Sequence, residues 1–518
     1  MNLFFKLVFI LITTISISYA SSETESCTIV IFGATGDLTA RKLIPALYNL
    51  THEENISKNT TIIGFARRDY THETFRNTIR ETVDQFTKLP SSKNNSWKQF
   101  ENHIYYNQAN FDDDTGYENL QKLLLKIDQE KGTINGNRIY YLATHPSHFS
   151  TIIKKLHENK LIYKSKSNEN WSRVIIEKPF GNDLNSAVQL QNNISKYLDE
   201  SQIYRMDHYL GKEGVLNLLA LRFKSGFFEP LWNSKHIDNV QITLSEDIGI
   251  GSRANFWEET GSLRDVFQNH LMQLLSIVAM DRPSQLNSYN IHEEKIKVLN
   301  AIRPFTSTEL TQSVISGQYR SGMIKGINVP GYKQEAGVSD NSLSETFLAT
   351  KIFIDNERWS GVPFYIRGGK RLFKQTTEIA IVFKDQPSSS DNPNPLSNIM
   401  FIRIQPNAGI FLKTLSKVPK LDTQVKPIVF GYSPETYFKK SASEAYEKLL
   451  YDCINGDSAL YVKFEEQLAT WRLLTPILNH WKFEDSKKIL EYDAGSWGPE
   501  AANELPLKDG RFWKLLEI

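Results

Sequence analysis

The sequence predicts an α/β unit on a parallel sheet, joined to a larger α+β unit whose sheet is mainly antiparallel and faced by helices. Three observations carry this expectation. After residue 27, short apolar runs alternate with helical segments. A glycine-rich turn, Gly33-Ala34-Thr35-Gly36-Asp37-Leu38, joins the first run to the first helical segment. From Asn239 onward the apolar runs alternate with period two, as half-buried strands do.

The first unit is expected over residues 27–204. Residues 28–33 form a buried-strand pattern, and residues 39–50 a helix with Leu43, Ala46, Leu47 and Leu50 on its apolar face. A second strand pattern covers residues 61–65. Strand, glycine-rich turn, helix and strand make a dinucleotide-binding arrangement: glycine lets the backbone approach a pyrophosphate, and the helix N-terminus offers free N–H groups. The second strand ends in Arg67-Arg68 where an NAD site would place a carboxylate, so a 2′-phosphate, and hence NADP, is favoured. Residues 138–143 lead into Thr144-His145-Pro146, and residues 171–177 into Lys178-Pro179-Phe180-Gly181. The latter places a cation at the carboxyl edge of the sheet, where doubly wound folds bind ligands.

The second unit, residues 205–518, opens with the densest polar cluster, Tyr204-Arg205-Met206-Asp207-His208-Tyr209-Leu210-Gly211-Lys212-Glu213. His208, Tyr209 and Lys212 offer the cations and donors that a phosphate needs. Residues 261–275 read as a helix with a buried stripe (Leu263, Val266, Phe267, Leu271, Leu274, Leu275), punctuated by Asp265, Asn269 and His270. Asp265 and Asn269 are four apart and share a face. Strand patterns follow at residues 239–244, 380–383 and 400–405, with residues 386–395 as a surface loop.

Composition bounds the function. The chain has 518 residues, 40% of them hydrophobic, enough for two or three domains and unlike a disordered chain. With 60 Lys+Arg against 59 Asp+Glu, it has no bulk field for nucleic acid. Two cysteines, Cys27 and Cys453, exclude a disulfide scaffold and a thiolate zinc site. No metal is expected. Residues 1–20 have a signal-peptide layout: Lys6, an apolar run, then Ser18 and Ala20 before a cleavage point. No later stretch is apolar enough to span a bilayer, so the mature chain is expected without a membrane span. On a secretory route some of Asn49, Asn55 and Asn59, each in an Asn-x-Ser/Thr triplet, are expected to carry glycans.

GATGDL, IIEKPFG, RMDHYLGKE and RDVFQNHL, in this order, together with GVPFYIRGGK at residues 361–370 and GSWGP at 495–499, resemble the glucose-6-phosphate dehydrogenase family. With the leader, the chain is most similar to the hexose-6-phosphate dehydrogenase branch of the endoplasmic reticulum lumen; the alternative compartment is cytoplasmic. The resemblance implies a Rossmann-like NADP domain and oxidation of glucose 6-phosphate at C1 to 6-phosphoglucono-1,5-lactone, the first oxidative step of the pentose phosphate pathway. It implies that Gly33, Gly36, Asp37, Leu38 and Lys42 line the NADP site, with Arg67 on the 2′-phosphate and Lys178 touching both cofactor and sugar. His208, Tyr209 and Lys212 would hold the substrate phosphate. Glu246, Asp265 and Lys370 would hold the sugar. His270 would be the general base, with Asp207 orienting it. A homodimer or homotetramer is implied as well. Thr376 and Ala380 stand where animal members hold a second, structural NADP with basic residues, so that site is expected to be weak or absent. Gln375 falls where many members place a basic residue near the phosphate. The alternatives are a broader hexose-6-phosphate dehydrogenase, another NADP-dependent sugar oxidoreductase, which would lack the Asp-His-Tyr-Leu-Gly-Lys run, and a non-catalytic NADP sensor.

Overall fold

The structure, a computed structural model, describes residues 26–87, 96–132, 136–162, 170–385, 398–419, 421, 424–483 and 489–516. The leader-like residues 1–20 and the loop expected at 386–395 lie outside these.

Six parallel strands form the first sheet: β1 (Cys27–Phe32), β2 (Thr61–Ala66), β3 (Ile104–Gln108), β4 (Asn137–Leu142), β5 (Ser172–Glu177) and β6 (Ile203–Met206), in the order β3-β2-β1-β4-β5-β6. All six residues of β1 are buried, as expected of a central strand covered by helices on both faces. The order reverses direction between β1 and β4. That opens a crevice at their carboxyl ends, where ligands bind in such folds. The helices are bounded by local chemistry. Asp183 caps Leu184–Ile194 by accepting from Ser186 N at 2.8 Å, and Gly132 ends Asp114–Lys131 in the left-handed region. β6 carries the sheet to Met206, immediately before Asp207.

The second sheet contains β7 (Ile237–Ser245), β8 (Val314–Arg320), β11 (Phe347–Phe353), β12 (Pro363–Gly369), β13 (Thr376–Phe383), β14 (Ile399–Gln405), β15 (Gly409–Lys417), β16 (Val425–Tyr432) and β17 (Ile489–Asp493). β9 (Gly322–Ile324) and β10 (Ile327–Val329) form a small hairpin beside it. The order is β16-β15-β14-β13-β7-β12-β11-β8-β17, antiparallel except for the pairings β7–β12 and β8–β17.

One face packs against the segment Ala254–Ala279, which buries Leu263, Val266, Phe267, Leu271, Leu274 and Leu275. Gly261 breaks this segment at φ 59°, where a Cβ would lie 2.5 Å from Glu345 Oε1. The same Glu345 oxygen accepts from Leu263 N at 3.0 Å, so the break starts the helical stretch Leu263–Leu271, which winds with the wider i→i+5 pitch.

The opposite face carries a cross-strand row, Arg367, Thr243, Glu378 and Arg403. The chain's own tail lies over it. Gln241 exchanges hydrogen bonds with Phe512 O (2.9 Å) and Lys514 N (2.6 Å), and Leu516 N donates to Glu378 at 2.7 Å. The Arg367 guanidinium sits 4.1 Å from the Trp513 ring and 5.1 Å from Trp497. Thr376 and Ala380 are buried here. No helix among the described residues is long and apolar enough to cross a membrane, and Cys27 and Cys453 are both buried free thiols.

Candidate active site

The crevice beside β1 and β4 is a cleft of about 570 Å³ lined by Gly33, Gly36, Arg67 and Arg68, with Thr35, Asn110, Asp112, His145 and His148. Gly33 has φ +85°, and a Cβ there would lie 2.3 Å from Ala143 O, so only glycine keeps the turn this close to β4. These residues fit an NADP: backbone at van der Waals approach on one side, two exposed guanidinium groups on the other. Asp37 instead pairs with Arg41 at 2.6 Å on the surface. Lys42 points toward the second unit, 3.5 Å from Glu444. Leu38 is half-buried against the core.

Where the two units meet, β6 delivers Asp207 and the helical stretch Leu263–Leu271 delivers His270. His270 Nδ1 lies 2.6 Å from Asp207 Oδ1. Burial raises the Asp207 pKa, but the imidazole beside it and its hydrogen bond outweigh this and hold the carboxyl below the usual range. With Asp207 ionised, Nδ1 carries the proton and Nε2 presents a lone pair. Burial lowers the His270 pKa, and Asp207 offsets only part of that. The Tyr209 ring stacks on His270 at 4.2 Å, while its backbone N donates to Asp207 Oδ1 at 3.0 Å.

His208 meets His270 edge-on at 4.7 Å. Burial and the neighbouring His270 push its pKa well down, so it offers a phosphate an N–H donor. Lys212 lies 4.8 Å from the Tyr209 ring; burial lowers its pKa and Glu444 opposes the shift. Lys178 directly follows β5, precedes a cis peptide bond to Pro179, and donates to Asp265 O (2.7 Å) and Asp265 Oδ1 (3.1 Å). Burial raises the Asp265 pKa, but Lys178 and Lys370 outweigh it and the net shift is downward. Lys370 donates to Glu246 and sits 4.8 Å from the Trp257 ring. The fold thus gathers His270, Asp207, His208, Tyr209, Lys212, Lys178, Asp265, Glu246 and Lys370 into one region. It leaves Asp37 at the surface. Ligand atoms of Asp207, His208 and His270 lie within 4.8 Å of one another, a set able to hold a metal ion.

Sequence reasoning missed several residues here. Asn110 and His148 line the cleft, and both follow strand ends (β3 and β4), where the carboxyl-edge rule points. Gln405 donates to the Tyr209 hydroxyl at 2.9 Å, with Thr377 Oγ1 3.4 Å from it. Glu444 reaches Lys42 across 402 positions. No local pattern marks these last three.

Comparisons with known proteins identify the family. Residues 30–217 match the family model described as glucose-6-phosphate dehydrogenase, NAD binding domain, and residues 219–514 the C-terminal domain of the same family. The chain is 48% identical to glucose-6-phosphate 1-dehydrogenase of Chlamydia muridarum over 495 residues, covering 94% of this chain and 96% of that one. It is 40% identical to that of Aggregatibacter actinomycetemcomitans over 494 residues, covering 95% and 98%. A solved glucose-6-phosphate dehydrogenase in complex with its substrate glucose-6-phosphate superposes with a TM-score of 0.87 at 35% identity, covering 96% of this chain and all of that one. Two matched family models and near full-length relatives place the chain plainly: it belongs to the glucose-6-phosphate dehydrogenase family.

Proposed function

We propose that the protein oxidises the C1 hydroxyl of glucose 6-phosphate to the 1,5-lactone with NADP as hydride acceptor. The buried His270–Asp207 pair, ringed by His208, Tyr209, Lys212 and Lys178, is the observation that carries this reading. Gly33, Gly36 and Arg67 would hold NADP in the cleft, where it would supply the hydride acceptor. His270 Nε2 takes the C1 hydroxyl proton. Asp207 keeps the opposite ring nitrogen protonated and stabilises the imidazolium that forms. His208, Tyr209 and Lys212 bind the phosphate, and that remote binding energy orients C1. Asp265, paired with Lys178, and Glu246, paired with Lys370, accept hydrogen bonds from sugar hydroxyls. Absorbance at the nicotinamide band tests the reading, with glucose 6-phosphate and NADP, then NAD, then galactose 6-phosphate. Turnover with the first pair is expected; its absence overturns the reading.

We infer that the chain assembles as a homodimer, or a tetramer built from dimers. All eight residues of the edge strand β16 are exposed, among them Ile428, Phe430 and Tyr432, and Tyr437 and Phe438 beyond it are exposed too. An open apolar edge is normally covered. Light scattering on Ile428→Lys/Phe430→Glu should give a monomer; an unchanged mass removes this face from the interface.

For the compartment, the leader-like residues 1–20 support a secretory route, and the relatives, named for bacterial species, support the cytoplasmic alternative over a lumenal branch. Of the expected glycan positions, Asn49 donates from Nδ2 to Glu447 Oε1 at 2.7 Å. Asn55 and Asn59 are exposed. N-terminal sequencing of the native protein separates the two routes: a start near Ser21 means export, an intact Met1 the cytoplasm.

A further inference from the structure

The GSWGP run near the C-terminus has no part in the roles above, yet the segment that carries it reaches the proposed sugar-binding pair. Tyr492 stands in β17, which is not a neighbour of β12 in the sheet. Its hydroxyl nevertheless lies 2.7 Å from the carbonyl oxygen of Lys370, the residue that follows β12. The single hydroxyl hydrogen has two backbone acceptors in reach, Lys370 O and Thr346 O at 3.3 Å, and the shorter contact takes it. Thr346 Oγ1, 2.9 Å from the Tyr492 oxygen, is then the donor of that pair, and Tyr319 N donates to Thr346 Oγ1 at 3.1 Å. The three bonds run head to tail from β8 to Lys370, and Tyr319, Thr346 and Tyr492 are all buried.

The backbone around Lys370 is held from both sides. Lys370 N donates to Thr346 O at 2.9 Å, and past it Gly495 N donates to Arg371 O and Phe373 N to Ser496 O, each at 2.8 Å. Glu246, which follows β7, is tied to the same turn: its N donates to Gly369 O at 3.0 Å, and its O accepts from Leu372 N at 2.9 Å. The side chains of the two residues then meet, Lys370 donating to Glu246 while it lies on the Trp257 ring. Lys370 is 2% exposed, so its ammonium has no solvent to swing into and its position follows the backbone from which the side chain starts. Lys370 O lies beyond the β12 ladder, and Tyr492 supplies its hydrogen-bond partner.

We propose that Tyr492 is a positioning residue for sugar binding: its hydroxyl fixes the Lys370 carbonyl, and through it the Lys370–Glu246 pair. The inference rests on the reading that this pair holds the sugar.

The test is steady-state kinetics on the full chain. Tyr492→Phe keeps the ring and removes the hydroxyl; it should raise the KM for glucose 6-phosphate about 3–10-fold, the scale of one lost hydrogen bond. kcat and the KM for NADP should stay within about twofold, because the proton-transfer pair and the cofactor cleft are untouched. In Glu246→Gln, where the pair is already broken, adding Tyr492→Phe should raise the KM less than about twofold further. Thr346→Val keeps the shape and loses the hydroxyl, so it should behave as Tyr492→Phe does, whereas Thr346→Ser keeps the relay and should match wild type. A folded Tyr492→Phe with an unchanged KM for glucose 6-phosphate overturns the inference. So do fully additive losses in the double variant, or a parallel loss in kcat and both KM values. Tyr140→Phe, which removes a buried hydroxyl bonded to Leu161 O at 2.5 Å in the first unit, is the stability control, and a rise in KM equal to that of Tyr492→Phe also overturns it. If Tyr492→Phe does not fold, Thr346→Val against Thr346→Ser decides on the same criteria. Wild-type turnover and a Glu246→Gln variant that raises the KM test the underlying reading separately. With both in place, the Tyr492 result bears on the inference alone; a Glu246→Gln variant with an unchanged KM overturns both.

Discussion

Nδ1 of His270 lies 2.6 Å from Oδ1 of Asp207, and the two side chains are 4% and 1% exposed. Asp207 directly follows β6, the last strand of the first sheet, and His270 comes from a helical stretch lying on the second sheet. The proposed proton-transfer pair therefore exists only when the two sheets are packed together.

His270→Ala is expected to lower kcat by about 10²–10⁴-fold, the usual contribution of a positioned base, with a small change in substrate KM. A mutant retaining more than about a third of wild-type kcat would fit no role for His270 in the transition state.

The pH profile follows from the same pair. The base must be unprotonated, so activity rises with pH through the His270 pKa. Burial lowers that pKa from its ordinary 6.5, so the acid limb of kcat/KM lies below 6.5. The Asp207 charge opposes the shift; Asp207→Asn should therefore move the limb further toward acid while lowering kcat. A limb that moves toward alkali in Asp207→Asn contradicts this.

Lys212→Ala should raise the KM for glucose 6-phosphate roughly 10–100-fold, the loss of one charge-assisted hydrogen bond. Unphosphorylated glucose should hardly register the change. Equal losses on both sugars would place the phosphate elsewhere.

Arg67→Ala should weaken NADP and spare NAD, since the 2′-phosphate is what separates the two cofactors. Parallel changes in both KM values would move the assignment to Arg68, which lines the same cleft.

Away from the site, Glu466 is fully buried between His292 Nδ1 (2.6 Å) and Lys295 Nζ (2.7 Å). Burial raises its pKa, but the two partners outweigh it and lower the value from 4.5 to about 2. Its contribution to stability is therefore complete above about pH 4.5 and is lost as pH falls toward 2. Glu466→Gln leaves a buried cation unpaired and should cost about 3–5 kcal/mol, read as a lower melting temperature at pH 7. A melting temperature equal to wild type would show that the triad adds nothing.

Local chemistry was enough to place β1 from its apolar run, the turn at Gly33, the NADP preference at Arg67-Arg68 and the buried stripe of the helix that carries His270. Each depends on residues a few positions apart, where backbone propensity and side-chain period act directly. The family resemblance supplied the pairing of Asp207 with His270, which spacing alone could not give. Tertiary structure decided the rest. It inserted β7 between β12 and β13, laid the tail from Phe512 to Leu516 on Gln241 and Glu378, and brought the Tyr446 ring to His208. It also set the electrostatics: burial and the neighbouring His270 push the His208 pKa well down, and desolvation depends on everything packed around the ring. Strand order and desolvation are sums over contacts between distant segments, and no window of sequence contains them.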